Sequence, residues 1–150
     1  MISFHQNGWC FHLRAGGIAL HEDHVLLHRL DGDEFWAIPG GRVEMGEQAG
    51  ETLIREFHEE LGIHVTTGDL VCVGENFFDY QGEPHHEVGL YLAVELPQGS
   101  PLLNLEKTHV GTGHQAPVLQ TPECGSKAIP LSHCAGSFFV LAKTIITTAT

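Results

Sequence analysis

Short apolar runs alternate with polar turns over the first hundred residues of the chain. Ala15 to Leu20 and Val25 to Leu30 are two such runs, separated by His21-Glu22-Asp23-His24, which predicts a β-hairpin with a polar turn. Phe35 to Ile38 reads as a short strand entering the loop Pro39-Gly40-Gly41, whose backbone can approach a ligand closely. His64 to Thr67 predicts another short strand, ended by a Gly68-Asp69 turn. Leu70 to Phe78 and His86 to Leu96 read as the two strands of a second hairpin, with a loop from Asp79 to Pro84 between them. In the later strand Val88, Leu90, Leu92 and Val94 share one face. Residues 1–13 are mixed and fit either a leading strand or an arm. Strands, one strong helix and short loops predict a mixed α/β domain.

That helix lies between Glu47 and Gly62. Glu47 places an acid at the positive end of the helix dipole, and Gly62 stands where a left-handed C-terminal cap wants glycine. At 100° per residue, with Glu56 at zero, Leu53, Ile54, Phe57 and Leu61 fall between about 60° and 160° and predict a buried stripe. Glu60 lies about 40° to one side of Glu56 and Glu59 about 60° to the other, so three carboxylates share an arc roughly 100° wide. Part of this charge has an ordinary reading, because Glu51–Arg55 and Arg55–Glu59 are i,i+4 pairs. Glu56 and Glu60 are also four apart but repel each other. A stripe of this kind is costly unless something positive docks there. Oxygen ligands carrying that much charge suit a hard cation, Mg²⁺ or Mn²⁺, which commonly shares its coordination with substrate phosphates.

Residues Gly41 to Ile63 read GRVEMGEQAGETLIREFHEELGI. Glycine, five residues, Glu47, seven residues, then Arg55-Glu56-Phe57-His58-Glu59-Glu60-Leu61-Gly62-Ile63 resembles the signature of the Nudix (MutT-type) hydrolases. All seven fixed positions match, which by chance has a probability of about 10⁻⁸ per starting point. The wider resemblance runs from about Ala15 to Leu96. It implies an α/β/α sandwich with a mixed β-sheet, in which the box forms loop, helix and loop. It also implies an enzyme that hydrolyses a phosphoanhydride bond in a nucleoside diphosphate linked to another group. Glu56, Glu59 and Glu60, with the backbone carbonyl of Gly40, are then the expected Mg²⁺ or Mn²⁺ ligands. Glu47, Arg55, Glu56 and Glu59 are the expected catalytic residues, Arg55 orienting a glutamate and Glu47 or Glu56 serving as base.

Substrate contacts are thinner on the sequence. Arg29 is either a solvated strand-end arginine or a fork for phosphate oxygens. Trp36 is either core or a platform for a base. Tyr80 lies seventeen positions past Ile63 and resembles the tyrosine marker of diadenosine polyphosphate hydrolases, although an aromatic loop anchor reads the same. Glu87, Glu106 and Glu123 are acids outside the box that could add a base or a ligand, or could be plain surface acids. His85-His86-Glu87 resembles a metal ligand set, but adjacent strand residues point to opposite faces, so His85 and His86 are not expected to chelate together.

Composition narrows the partners. The 150 residues suit one domain, and a formal charge of −12 argues against binding a nucleic-acid polymer while leaving a small phosphorylated ligand open through a bridging metal. Cys10, Cys72, Cys124 and Cys134 have no C-x-x-C spacing, which favours free thiols over a disulfide or a zinc site. No basic leader precedes an apolar core, and no apolar run reaches the eighteen residues of a membrane span, so a cytoplasmic, soluble protein is expected. A homodimer is common in the family, and no stretch here marks its interface. Residues 1–107 are family-like. Residues 108–150 are rich in Thr, Ala, Gly and Pro, hold one acid, Glu123, and lack the closing amphipathic helix of the family. This tail motivates a second reading, a nucleotide-binding regulatory module with little turnover.

Overall fold

The computed structural model describes residues 1–22, 24–29 and 37–104, and the backbone of 109–110 and 118–120. The chain opens with a hairpin. β1 (Ser3–Gln6) turns through Asn7 and Gly8, both at positive φ, into β2 (Trp9–Ile18). A two-residue turn of this sort matches the twist of its flanking strands, and it settles the N-terminal residues as a strand. β3 (Leu20–His21) and β4 (His24–Val25) pair antiparallel where a hairpin was predicted, but with only two residues a side: His21 and His24, expected in the turn, pair with each other, and Ala15 to Ile18 belongs to β2. β5 (Leu27–Arg29) follows, and His28 bridges to Ala37. Phe35 and Trp36 lie outside the described residues.

Gly40 and Gly41 are not loop, as the sequence suggested, but part of β6 (Gly40–Arg42), which pairs antiparallel with β2. The reason is steric. A Cβ on Gly40 would stand 2.0 Å from the Ala15 carbonyl oxygen, so only glycine lets the two backbones come this close.

After the helix α1 (Ala49–Leu61), the short strand expected over His64 to Thr67 and the hairpin's first strand expected over Leu70 to Phe78 are one strand, β7 (Thr66–Tyr80). The Gly68-Asp69 stretch is absorbed as a register irregularity between Thr67 and Cys72 rather than ending the strand. β7 pairs with β8 (Glu83–Glu95), and the connecting turn is only Gln81 and Gly82, both at positive φ. The sheet is mixed. β2 lies parallel to β8 along one edge and antiparallel to β1 and then β6 along the other, giving the order β1-β2-β8-β7 with β6 beside β2. Farther along, β9 (His109–Val110) and β10 (Val118–Gln120) form a small sheet with β5. The other residues expected to form an atypical tail from 108 onward lie outside the described residues.

α1 packs on one face of the mixed sheet, and no other α-helix is present among the described residues. Leu53 and Phe57 are fully buried against Ala15, Val43 and Val94. A Cβ on Gly17 would stand 2.8 Å from the Phe57 ring, so this small residue is what lets the helix sit down on β2. At the helix start the Glu51 carboxylate accepts from the Gln48 backbone N–H at 2.8 Å. At its end Gly62 is left-handed and its N–H returns to the His58 carbonyl, as the sequence predicted.

One expectation about faces is corrected. Ile54 is exposed, because the buried arc of α1 is centred on Leu53 and Glu60 rather than beyond Phe57. On β8 Val88, Leu90, Leu92 and Val94 share one face as predicted, with Val94 buried and the others half-buried, and His85, Glu87 and Tyr91 on the opposite face are buried too. Tyr91 lies over Gly16 and Gly89 and helps cover that face.

Candidate active site

The N-terminal approach to α1 and the edge of β2 and β6 form an open cleft of about 740 Å³. Gly40, Gly41, Arg55, Glu56, Glu59 and Glu60 all line it, together with Arg14, Arg42 and Glu44. The carboxylate stripe is graded in exposure, with side chains 15% exposed at Glu56, 33% at Glu60 and 58% at Glu59. Two of the three acids therefore sit over the buried arc of the helix rather than beside it. Gly41 makes room for the deepest, since a Cβ there would stand 2.2 Å from the Glu56 carboxyl carbon.

Arg55 is the hub. Its Nε and Nη2 donate to the two carboxylate oxygens of Glu47 at 2.9 and 3.0 Å, a bidentate grip. Its Nη1 donates to Glu56 at 2.6 Å and to Glu59 at 3.4 Å, and Nη2 also reaches the Arg42 carbonyl at 3.3 Å. The i,i+4 partner that the sequence suggested, Glu51, is used in the helix cap instead. Glu47 is further held by the Thr52 hydroxyl at 2.7 Å and the Glu44 N–H at 3.1 Å. The Arg55 hydrogen bonds, against the pull of burial, hold the Glu47 carboxyl down at about 2, and the Glu47 carboxylate pushes the Arg55 guanidinium up. The pair is a fixed ionic strut.

Glu60 is different. Burial and the neighbouring charges of Glu56 and Glu59 push its carboxyl up to about 7, with Arg14 opposing. His28 lies on its other side, Nδ1 3.8 Å from Glu60 Oε2, and burial with the Arg14 charge lowers that imidazole to about 4. Arg14 itself is anchored by donating to the Ile38 carbonyl at 2.9 Å. Neither Arg14 nor His28 carried a signal in the sequence. Both reach the stripe only because β2 and β5 are brought there by the sheets. The remaining predicted contacts fall elsewhere. Tyr80 sits at the hairpin end of β7, edge-on to His85 and not among the cleft residues. The backbone of Arg29 belongs to β5, and its side chain, like Trp36, Glu106 and Glu123, lies outside the described residues. Glu87 accepts from His12 on the sheet face away from α1.

The residues present fit a hard divalent cation by their chemistry. They are oxygen donors of like charge that Arg55 neutralises only in part, and burial first, then the Glu56 and Glu59 charges, raise the Glu60 carboxyl. Their carboxylates do not close to within 4.8 Å of one another as a threesome. That spacing suits an ion that keeps part of its water and takes only one or two carboxylates directly.

Comparison with known proteins places the domain in a family. A model of the NUDIX domain matches residues 11–116. The Bacillus subtilis (strain 168) protein "Putative ADP-ribose pyrophosphatase YjhB" is 28% identical over 94 residues, 62% of this chain and 45% of that protein. An 8-oxo-dGTP diphosphatase of Proteus vulgaris is 37% identical over 62 residues, 41% of this chain and 52% of that protein. The chain thus spans about half the length of these curated relatives. The crystal structure of a MutT NUDIX hydrolase from Burkholderia pseudomallei shares the fold, with a TM-score of 0.56 and 21% identity over 83% of this chain and 92% of that one. With the glycine-lined strand, the carboxylate helix and the domain match all in one place, the chain belongs to the NUDIX domain family.

Proposed function

We propose that this chain hydrolyses a phosphoanhydride bond in a nucleoside diphosphate linked to a further group, with Mg²⁺ or Mn²⁺ held by Glu56, Glu59, Glu60 and the Gly40 carbonyl. The bound ion would neutralise the diphosphate and lower the pKa of a coordinated water. The observation that carries the reading is the convergence of the three α1 carboxylates with Arg14, Arg42 and Arg55 on one cleft. Arg14 and Arg42 face the space a diphosphate would fill and bind its oxygens. Arg55 orients Glu56 at 2.6 Å, and Glu47 fixes Arg55 in turn. A carboxyl held at about 2 and already tied by four hydrogen bonds is a poor acceptor, so Glu47 is a positioning residue. Glu56 then takes the proton of the attacking water as the new P–O bond forms and the bridging P–O bond breaks. The names of the relatives put ADP-ribose and 8-oxo-dGTP at the head of the substrate panel.

The test is a hydrolysis screen in Mg²⁺ and in Mn²⁺ over ADP-ribose, 8-oxo-dGTP, nucleotide sugars and dinucleoside polyphosphates. Metal-dependent turnover of at least one compound is expected, and its loss in Glu59→Gln and Glu60→Gln. Glu47→Gln should lower kcat by about 10- to 100-fold, as for a residue that orients a ligand. The acid limb of its pH–rate profile should persist, whereas loss of that limb would make Glu47 the base. Nucleotide binding with no product on any compound would replace the enzyme with a binding module.

A further inference from the structure

A second group of ligating side chains lies on the sheet face away from α1, and the proposed hydrolysis does not use it. Cys10 and His12 alternate along β2, and His85 and Glu87 alternate along the adjacent parallel strand β8. The register puts Cys10 opposite His85 and His12 opposite Glu87. All four are buried, with relative exposures of 3, 4, 6 and 7%. One ligand atom each from Cys10, His12 and His85 lie within 4.8 Å of one another. His86, the neighbour of His85, points to the opposite face and pairs with Glu75 at 2.8 Å.

A buried thiol beside two buried imidazoles is an expensive packing choice. The Nδ1 atoms of His12 and His85 have no hydrogen-bond partner among the described residues. Leaving such a group unpaired costs about 1–3 kcal/mol. The orientation of His12 suggests what the vacant nitrogens are for. Its Nε2 is 2.7 Å from Glu87 Oε2, and a carboxylate only accepts, so Nε2 donates and Nδ1 is the ring nitrogen left to bind an ion. A carboxylate fixing the far nitrogen of an imidazole is the usual support for a histidine that binds zinc. Glu83 lies at the rim of this group and pairs with His5 Nε2 at 2.8 Å. Its carboxylate is 3.8 Å from His85 Nε2, and it forms an overlapping threesome with His5 and Cys10.

We infer that Cys10, His12 and His85 bind a borderline-soft divalent cation, Zn²⁺ in the first instance, with Glu83 at the fourth position. The ligand type separates this site from the oxygen-lined cleft, since thiolate and imidazole select zinc over magnesium. Tetrahedral bonds of the usual length need donor separations of about 3.5 Å, so atoms within 4.8 Å of one another have to close by about an ångström at most. The ion would tie β2 to β8, the parallel pair at the centre of the sheet, and its role is structural. This inference stands whether or not the cleft hydrolyses nucleotides.

The experiment is cobalt substitution of the full chain with Mg²⁺ in excess, so that hard sites are filled. One Co²⁺ per chain should give a thiolate-to-cobalt charge-transfer band and intense tetrahedral ligand-field bands, and Zn²⁺ should displace it. Cys10→Ser should abolish the charge-transfer band, and Glu87→Gln should weaken Zn²⁺ binding by about 10- to 100-fold. Zn²⁺ should raise the melting midpoint of the wild-type chain and leave that of Cys10→Ser unchanged. If the variants do not fold, X-ray absorption of the zinc-loaded wild type decides, with one sulfur and two imidazole nitrogens expected in the first shell. An oxygen-only shell, a band that survives Cys10→Ser, or zinc binding lost only in Glu59→Gln and Glu60→Gln would overturn the site.

Discussion

Arg55 organises the candidate active site through four acceptors, and the one that holds it most firmly, Glu47, lies before the helix begins. Charge at this site is distributed unevenly. Glu47 is locked in its ionised form, while Glu60 has lost solvent without gaining a cationic partner at hydrogen-bond distance among the described residues. That asymmetry has a pH signature. In the unfolded chain Glu60 ionises near 4.5, and in the folded, metal-free protein near 7. Between those values the folded form keeps a proton that the unfolded form has released, so this group lowers stability progressively as pH rises from about 4.5 to about 7. His28 has the opposite slope over about 4 to 6.5, because its unfolded ring protonates first. The wild-type profile therefore mixes two opposing trends, and a variant separates them. Glu60→Gln should gain stability relative to wild type as pH rises toward 7 and then hold a constant lead. Urea denaturation of metal-free protein across that range checks it, and a pH-independent difference would show that Glu60 is not perturbed.

At the scale of elements, α1 is positioned by small residues on the strands beneath it. Gly17 and Gly41 face different parts of the helix and should fail differently when given a side chain. At Gly17 a methyl would enter 2.8 Å from the Phe57 ring and 2.9 Å from Val94, inside packed core. Overpacking there should cost about 1–3 kcal/mol of stability. At Gly41 the obstacle is the end of the flexible Glu56 side chain. Gly41→Ala should leave the melting midpoint nearly unchanged while lowering turnover at least tenfold, because Glu56 is pushed off Arg55. Thermal denaturation and kinetics on the two variants make the comparison, and equal stability losses would contradict it. On β8 the apolar face of Val88, Leu90, Leu92 and Val94 is buried at Val94 and half-buried along the rest. The polar alternate face is buried too, carrying the Cys10, His12, His85 and Glu87 cluster.

The whole molecule carries a formal charge of −12 and still presents three arginines to one cleft. An ion at the α1 carboxylates stabilises only the folded form, so Mg²⁺ should raise the melting midpoint in proportion to its occupancy. At a hundred times its Kd the gain is about 2.7 kcal/mol. Calorimetry should find this shift in wild type and a much smaller one in a Glu59→Gln/Glu60→Gln double variant, and an equal shift in both would place the ion elsewhere. No helix among the described residues is long and apolar enough to cross a membrane. What the sequence determined by itself is local. The helix, its glycine cap, the spacing of Glu56, Glu59 and Glu60, and the two hairpins depend on neighbours a few residues away, whose geometry follows from 3.6-residue and two-residue periods. What the tertiary structure alone decided is long-range. The parallel register of β2 with β8 joins Cys10 to His85, and the sheets bring Arg14 and His28 to Glu60. Residues so far apart in the chain leave no periodic trace of their meeting, because their contact is set by strand pairing and burial rather than by local spacing.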